Sequence, residues 1–162
     1  MPTIYLGIGS NIEPQKNLAL ALRELEKQFG DLEKSSVYRS KAFGFDGDEF
    51  LNMVVALDSE LTPIEIHTHL EDIQRTAGRD RSARGYSPRT LDIDLLLYDD
   101  LIIDDPPVRL PRADVLRFSF VLGPMAEIAP ELQHPETRQS YQDHWDEFDS
   151  GSHPIARERV SS

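Results

Sequence analysis

Cysteine is absent from the 162 residues, which excludes disulfides, thiolate metal sites and a cysteine nucleophile. No apolar run approaches the roughly 20 residues needed to cross a bilayer, and no basic flank leads into an apolar block at the N-terminus. The expectation is a cytoplasmic protein without a membrane partner. Cations are in deficit, with 17 Lys and Arg against 29 Asp and Glu, for a net charge of −12. Such a balance disfavours nucleic acid, whose binding draws on a positive surface, but leaves room for a small polyanion held by a local arginine cluster. The common phosphate loops are missing too. There is no G-x-x-x-x-G-K-[ST] segment, since Gly7-Ile8-Gly9-Ser10-Asn11 lacks both the lysine and the spacing, and neither H-R-D nor D-F-G occurs.

What is present is a soluble-protein composition, 39% hydrophobic and 28% charged, over a length that suits one well-buried domain. Thr3–Ile8 reads as a buried strand ending at Gly9-Ser10-Asn11. Pro14 opens a helix carrying Leu18, Leu22, Leu25 and Phe29, stopped by Gly30. Val37–Arg39 and Leu51–Leu57 read as strands, separated by a Gly- and Asp-rich loop at 42–49. Thr62, Pro63 and Glu65 give an N-cap, a proline at the first helical position and a first-turn acid for a helix ending near Gly78. Thr90–Tyr98 is the fourth strand, with Leu101–Ile103 as a short hairpin partner, and Phe118–Ile128 suggests a further helix. The order predicts an α+β fold, a ferredoxin-like βαββαβ sandwich with additional strands and C-terminal helices. A single domain is expected over residues 1–150, where Tyr141, Trp145 and Phe148 dock one helix face, followed by a flexible tail over 151–162.

The chemistry concentrates between Arg79 and Asp94, RDRSARGYSPRTLDID. Strand alternation places Asp92 and Asp94 on one face, with Leu91, Ile93, Leu95 and Leu97 on the other. Their backbones then lie roughly 6.6 Å apart, from two rises of about 3.3 Å, and converging carboxylates can bridge metal ions about 3.5–4 Å apart. Magnesium suits two carboxylates, because phosphate oxygens and water complete its octahedron. A solvated sheet face is the plain alternative. Two features favour a cation instead: the strand is apolar enough to be central, and an arginine-rich loop feeds into it. Guanidinium groups meet phosphate in a planar, bidentate fashion. Arg89 stands beside both aspartates and favours function. For Arg79 and Arg81 phosphate contact and surface ion pairing stand level, and Arg84 reads as solvated.

The stretch SPRTLDIDLLLYDD closely resembles the signature of the 6-hydroxymethyl-7,8-dihydropterin pyrophosphokinase family. GIGSN, VYRS, FLNMVVAL, GRDR and PMAEIAPEL fall in the matching order, over roughly Thr3 to Leu132. The resemblance implies transfer of pyrophosphate from ATP to the hydroxymethyl group of a reduced pterin, releasing AMP, in folate biosynthesis. It implies two Mg2+ ions on Asp92 and Asp94, and a catalytic set of Arg79, Arg89, Asp92 and Asp94. ATP would meet Arg79, Arg81, Arg89, Leu95 and Arg112. The pterin would meet Phe43, Gly44, Phe50, Asn52, Tyr86 and Phe120, with Phe120 as the stacking ring. Loops at 42–49 and 79–88 would close over the reactants, and a monomer is expected.

The chain departs from the family pattern at several points. Arg112 follows Pro111 where histidine is usual, Phe118 replaces an arginine two residues before Phe120, and Gln74 stands where glutamate is frequent. Tyr86 replaces a frequent tryptophan. Those changes leave the aspartates intact and bear on ATP handling. They motivate two alternatives: a non-catalytic pterin-binding paralogue, and a pyrophosphokinase for a related pterin.

Overall fold

The computed structural model describes residues 1–41, 49–77 and 91–158. The sequence expectations for Phe43, Gly44, Arg79, Arg81, Arg84, Tyr86 and Arg89 lie outside the described residues.

Strand β1 (Thr3–Ser10) alternates strictly, burying Ile4, Leu6, Ile8 and Ser10. It runs through the middle of the main sheet, antiparallel to β4 (Phe50–Asp58) on one side and to β5 (Asp92–Tyr98) on the other. Strand β3 (Tyr38–Ser40) extends the sheet beyond β4. The order β5-β1-β4-β3 is the fourth-first-third-second arrangement of a ferredoxin-like frame, so the expected α+β fold is what is found. A two-residue strand, β2 (Glu33–Lys34), also pairs with β4 and was too short to announce itself.

Helices α1 (Pro14–Phe29) and α2 (Pro63–Thr76) cover one face. Leu18, Ala21 and Leu25 of α1 and Ile66, Leu70 and Ile73 of α2 pack on Ile4, Leu6, Ile8, Met53, Val55 and Ile93. The start of α2 is fixed by a complete capping box: Thr62 Oγ1 accepts from the Glu65 amide at 3.3 Å, and the Thr62 amide donates to Glu65 Oε1 at 2.9 Å. The other face is covered by α3 (Asp114–Arg117), α4 (Ser119–Ile128) and α5 (Tyr141–Glu147). There Val54, Leu96, Leu97, Leu122, Met125 and the fully buried Tyr141 form a second core. Two covered faces explain why β4 reads as a continuous apolar run instead of an alternating one.

Three expectations need correction. The register between β1 and β5 slips at Tyr5/Leu6, so that Leu6 faces Leu95 while Tyr5 faces Leu97. One extra residue, Leu96, is inserted there. Leu97, expected on the face of Ile93, joins Leu96 in the second core instead. Next, Leu101–Ile103 does not pair with the fourth strand. Instead β6 (Ile103–Asp105) and β7 (Val108–Leu110) make a separate hairpin. Third, the chain after Gly151 is built into the fold as far as Glu158. A 3-10 turn over Ser150–Ser152 leads into β8 (Ile155–Arg157), which adds to the edge of β3 with Ser40 facing Ile155 and Tyr38 facing Arg157. Gly123 of α4 makes room for it, since a Cβ there would lie 2.7 Å from Ile155 Cδ1 and 3.2 Å from the Trp145 ring.

Glu127, near the end of α4, ties these layers together. Its carboxylate accepts from the Ser36 amide at 2.9 Å, the Ser36 hydroxyl at 2.6 Å and the Tyr38 hydroxyl at 3.0 Å, and meets Arg157 at 3.4 Å. Partial burial pushes this carboxyl up. The Ser36 and Tyr38 hydrogen bonds and the Arg157 charge outweigh it and hold the group below its ordinary value. A depressed folded value contributes stability above the unfolded value of 4.5 and loses it as pH falls below. Thermal unfolding should therefore show the wild type losing melting temperature more steeply than Glu127→Gln on acidification below about pH 4.5. Parallel acid limbs would contradict this role.

Candidate functional site

Register builds the site before any side chain does. On β1, Gly7 faces Asp94 and Gly9 faces Asp92, while on the other side Gly9 faces Asn52 of β4. Asp92, Gly9, Asn52 and Tyr38 thus form one row across four strands. The two glycines leave a strip of bare backbone between the aspartates and the asparagine. A Cβ at Gly9 would come within 2.6 Å of Asn52 Oδ1, whereas one at Gly7 would make ordinary contact with Leu96 at 3.4 Å.

Above that strip lies a cavity of about 220 Å³. Its floor is Gly7 and Gly9; Asn52, Phe50, Phe120 and the two aspartates stand around it. Asn52 is buried, and its Nδ2 donates to Ser40 Oγ at 3.3 Å, which fixes the orientation of the amide. Phe120, in the first turn of α4, stacks on Phe118 with centroids 5.1 Å apart and planes 14° from parallel. Phe118, which stands where the family pattern has an arginine, serves as backing for Phe120. Aromatic faces beside one fixed amide suit a flat, polar-edged heterocycle.

A second hollow of about 260 Å³ opens on the other side of the aspartates. It is polar, lined by His67, Glu71 and Gln74 of α2, Arg109 of β7, and Arg112. Leu95 borders it, though its side chain belongs to the first core. Asp92 and Asp94 line both hollows and form the seam between them.

Arg112 leans on that seam. Its Nη2 lies 3.7 Å from Asp94 Oδ1 and its Nε 3.3 Å from Asp114 Oδ2. The Nε contact is close without the alignment of a hydrogen bond, so charge alone holds it. The Arg112 and Asp94 side chains are 42% and 41% exposed, and a pair so open to water is worth little, which leaves the Nη end of the guanidinium available to a phosphate. Arg117 is exposed and lines neither hollow.

Gln74 takes part in the strand. Buried, it donates from Nε2 to the Leu70 carbonyl at 3.0 Å, and its Oε1 accepts from the amide of Ile93, between the aspartates, at 3.3 Å. A glutamate could accept the same bond, but it would set a third negative charge, this one buried, beside the two aspartates, which is costly.

Among the described residues no cluster of three or more His, Asp or Glu is arranged to hold a metal. Two hard carboxylates open to two hollows fit an ion such as magnesium, which takes its remaining ligands from water and phosphate. Of the residues expected from sequence, Phe50, Asn52, Asp92, Asp94 and Phe120 share one cavity, and Leu95 and Arg112 lie on the other side. Gly7, Gly9 and Arg109 were not singled out, and Gln74 stood out only as a departure from the family pattern. The signal for the glycines was present in GIGSN, two small residues in alternate positions of an apolar strand.

Comparison with known proteins points to one family and one fold. Residues 5–130 match the sequence profile of the family described as 7,8-dihydro-6-hydroxymethylpterin-pyrophosphokinase. The 2-amino-4-hydroxy-6-hydroxymethyldihydropteridine pyrophosphokinase of Aquifex aeolicus is 35% identical over 141 residues, covering 86% of this chain and 88% of its own length. That of Methylorubrum extorquens is 40% identical over 136 residues, covering 82% and 85%. A crystal structure of an HPPK-DHPS in complex with substrates superposes with a TM-score of 0.76 at 11% identity, over 93% of this chain and 44% of that one. Wild-type Plasmodium falciparum HPPK-DHPS gives 0.73 at 13%, over 92% and 45%. This chain spans less than half the length of those two, and the likeness to them is one of fold.

Gly9→Ala should cost about 1–3 kcal/mol of stability, because the new methyl must push the buried Asn52 amide off Ser40. Gly7→Ala, with room for its methyl, should stay within about 0.5 kcal/mol. In chemical denaturation, Gly9→Ala combined with Asn52→Ala should lose less than the sum of the singles. Additive losses would show that Gly9 and Asn52 do not press on one another.

Proposed function

This chain belongs to the 7,8-dihydro-6-hydroxymethylpterin-pyrophosphokinase family, and we propose that it transfers pyrophosphate from ATP to the hydroxymethyl group of 6-hydroxymethyl-7,8-dihydropterin, releasing AMP, in folate biosynthesis. The observation that carries this reading is the seam. Asp92 and Asp94 are shared by an apolar cavity suited to a flat ring and a polar hollow suited to a triphosphate.

The ring lies against Phe120, and its amide edge meets Asn52, whose rotamer is set by Ser40. The hydroxymethyl oxygen then points at the seam. ATP enters from the other side, with Arg109 and Arg112 facing its phosphates and Arg79, Arg81 and Arg89 as further contacts. Two magnesium ions, when bound by Asp92 and Asp94, neutralise phosphate charge and polarise the acceptor hydroxyl. A new bond forms between the hydroxymethyl oxygen and the β-phosphorus. The bond from that phosphorus to the α–β bridging oxygen breaks, AMP leaves with that oxygen, and the hydroxyl proton passes to solvent. The chain's own contribution is mainly position and charge: two pockets hold the reactants on one line, and arginines offset the charge on the leaving phosphate.

The departures in sequence fit an active enzyme on this reading. Arg112 keeps a cation beside Asp94, where the usual histidine is missing, and Gln74 keeps the strand anchored without adding charge.

Incubated with ATP, the hydroxymethyl dihydropterin and Mg2+, the protein should form AMP, and chelation of the metal should abolish it. Asp94→Asn should lower kcat by about 100-fold or more. Arg112→Ala should raise KM for ATP roughly tenfold, with KM for the pterin within about twofold. AMP formation by Asp94→Asn at the wild-type rate would refute the reading.

A further inference from the structure

Residues 150–158 lie outside the stretch, 5–130, that carries the family match. They are nonetheless held firmly. The Ser119 hydroxyl donates to the His153 carbonyl at 2.6 Å, β8 pairs with β3, and the Glu158 amide donates to the Val37 carbonyl at 2.7 Å. Gly123 keeps the space that Ile155 fills. The backbone at 153 is thus anchored to α4 on one side and to the sheet edge on the other.

From that anchored backbone the half-buried imidazole of His153 reaches both walls of the apolar cavity. Its Nε2 lies 3.0 Å from the carbonyl oxygen of Lys41, just beyond the end of β3. A carbonyl only accepts, so Nε2 carries the proton and donates. The same ring stands perpendicular to Phe120, with centroids 5.7 Å apart and planes at 89°. Lys41 and Phe120 both line the cavity, one from the sheet edge and one from α4. Phe118 backs the Phe120 ring, and the imidazole relates this stacked pair to the opposite wall.

Resting on the functional reading above, we propose that His153 is a positioning residue for the pterin, a cross-brace that holds Phe120 at a fixed distance from the β3 end. Its ring contacts to Lys41 and Phe120 both fall on residues lining the apolar cavity. Bracing an empty pocket lowers the ordering cost at binding, so its effect falls on pterin affinity and not on nucleotide affinity or on the chemical step. Ring shape and a donor at its far end are both used. Phenylalanine keeps the first and glutamine the second, which separates the two contacts.

The test is steady-state kinetics of the full chain with both substrates varied, alongside melting temperatures. His153→Ala should raise KM for the pterin roughly fivefold to twentyfold, with KM for ATP and kcat within about twofold of wild type. His153→Phe and His153→Gln should each recover part of that loss, and they carry the test if the alanine variant folds poorly. Direct titration with the pterin should show the same order. Unchanged pterin KM in all three variants overturns the proposal, as does a parallel change in both KM values and kcat that tracks melting temperature. A wild type that fails to bind the pterin overturns the functional reading itself, whereas normal wild-type turnover with indifferent variants removes only the brace.

Discussion

The antiparallel pairing of β1 with β5 on one side and β4 on the other is the constraint on which the site depends. It sets Gly7 against Asp94 and Gly9 between Asp92 and Asn52. Shifting the β5 pairing by one residue would turn the aspartates into the first core, and shifting the β4 pairing would take Asn52 away from Gly9. The cavity exists because two consecutive inward positions of a central strand lack side chains. The aspartates can serve two hollows because they stand at the edge of that strip, on the last strand of the sheet.

Holding that register takes material from the whole chain. The first core secures β1, β4 and β5 from one side, and the second core secures them from the other. Gln74 reaches through from α2 to the amide between the aspartates, so the strand is fixed at the point where the chemistry is proposed. On the far edge, Glu127 joins α4 to β3 and β8. This places Phe120, carried by α4, at a set height above Asn52. The buried Tyr141 completes the second core, and its hydroxyl is pushed well above the ordinary range by burial.

Much of this was legible in the chain. Alternation in TLDID identified the paired carboxylates, and Asn52 stood out as an amide within an apolar run. Thr62, Pro63 and Glu65 announced a helix start that is built as expected. What escaped depends on non-local geometry. The insertion at Leu96 is set by how β5 twists against β1, and TLDIDLLLY carries no mark of it. The closing strand Ile155–Arg157 has three residues in a polar setting, and its pairing comes from backbone hydrogen bonds that composition does not encode. Phe118 looked like a missing arginine because its contact is with Phe120, two residues on, across the end of a helix. His153 gave no signal, since its partners are more than thirty residues away in sequence.

The proposed function requires Asp92 and Asp94 to divide two binding spaces, with the heterocycle on one side and the nucleotide on the other. A crystal structure with the pterin, a non-hydrolysable ATP analogue and magnesium tests it most directly. The pterin ring is expected between Phe120 and Asn52, the triphosphate on the side of Arg109 and Arg112, and metal density at the two carboxylates between them. Both ligands on one side of the aspartates, or a nucleotide bound away from α2 and β7, would contradict it.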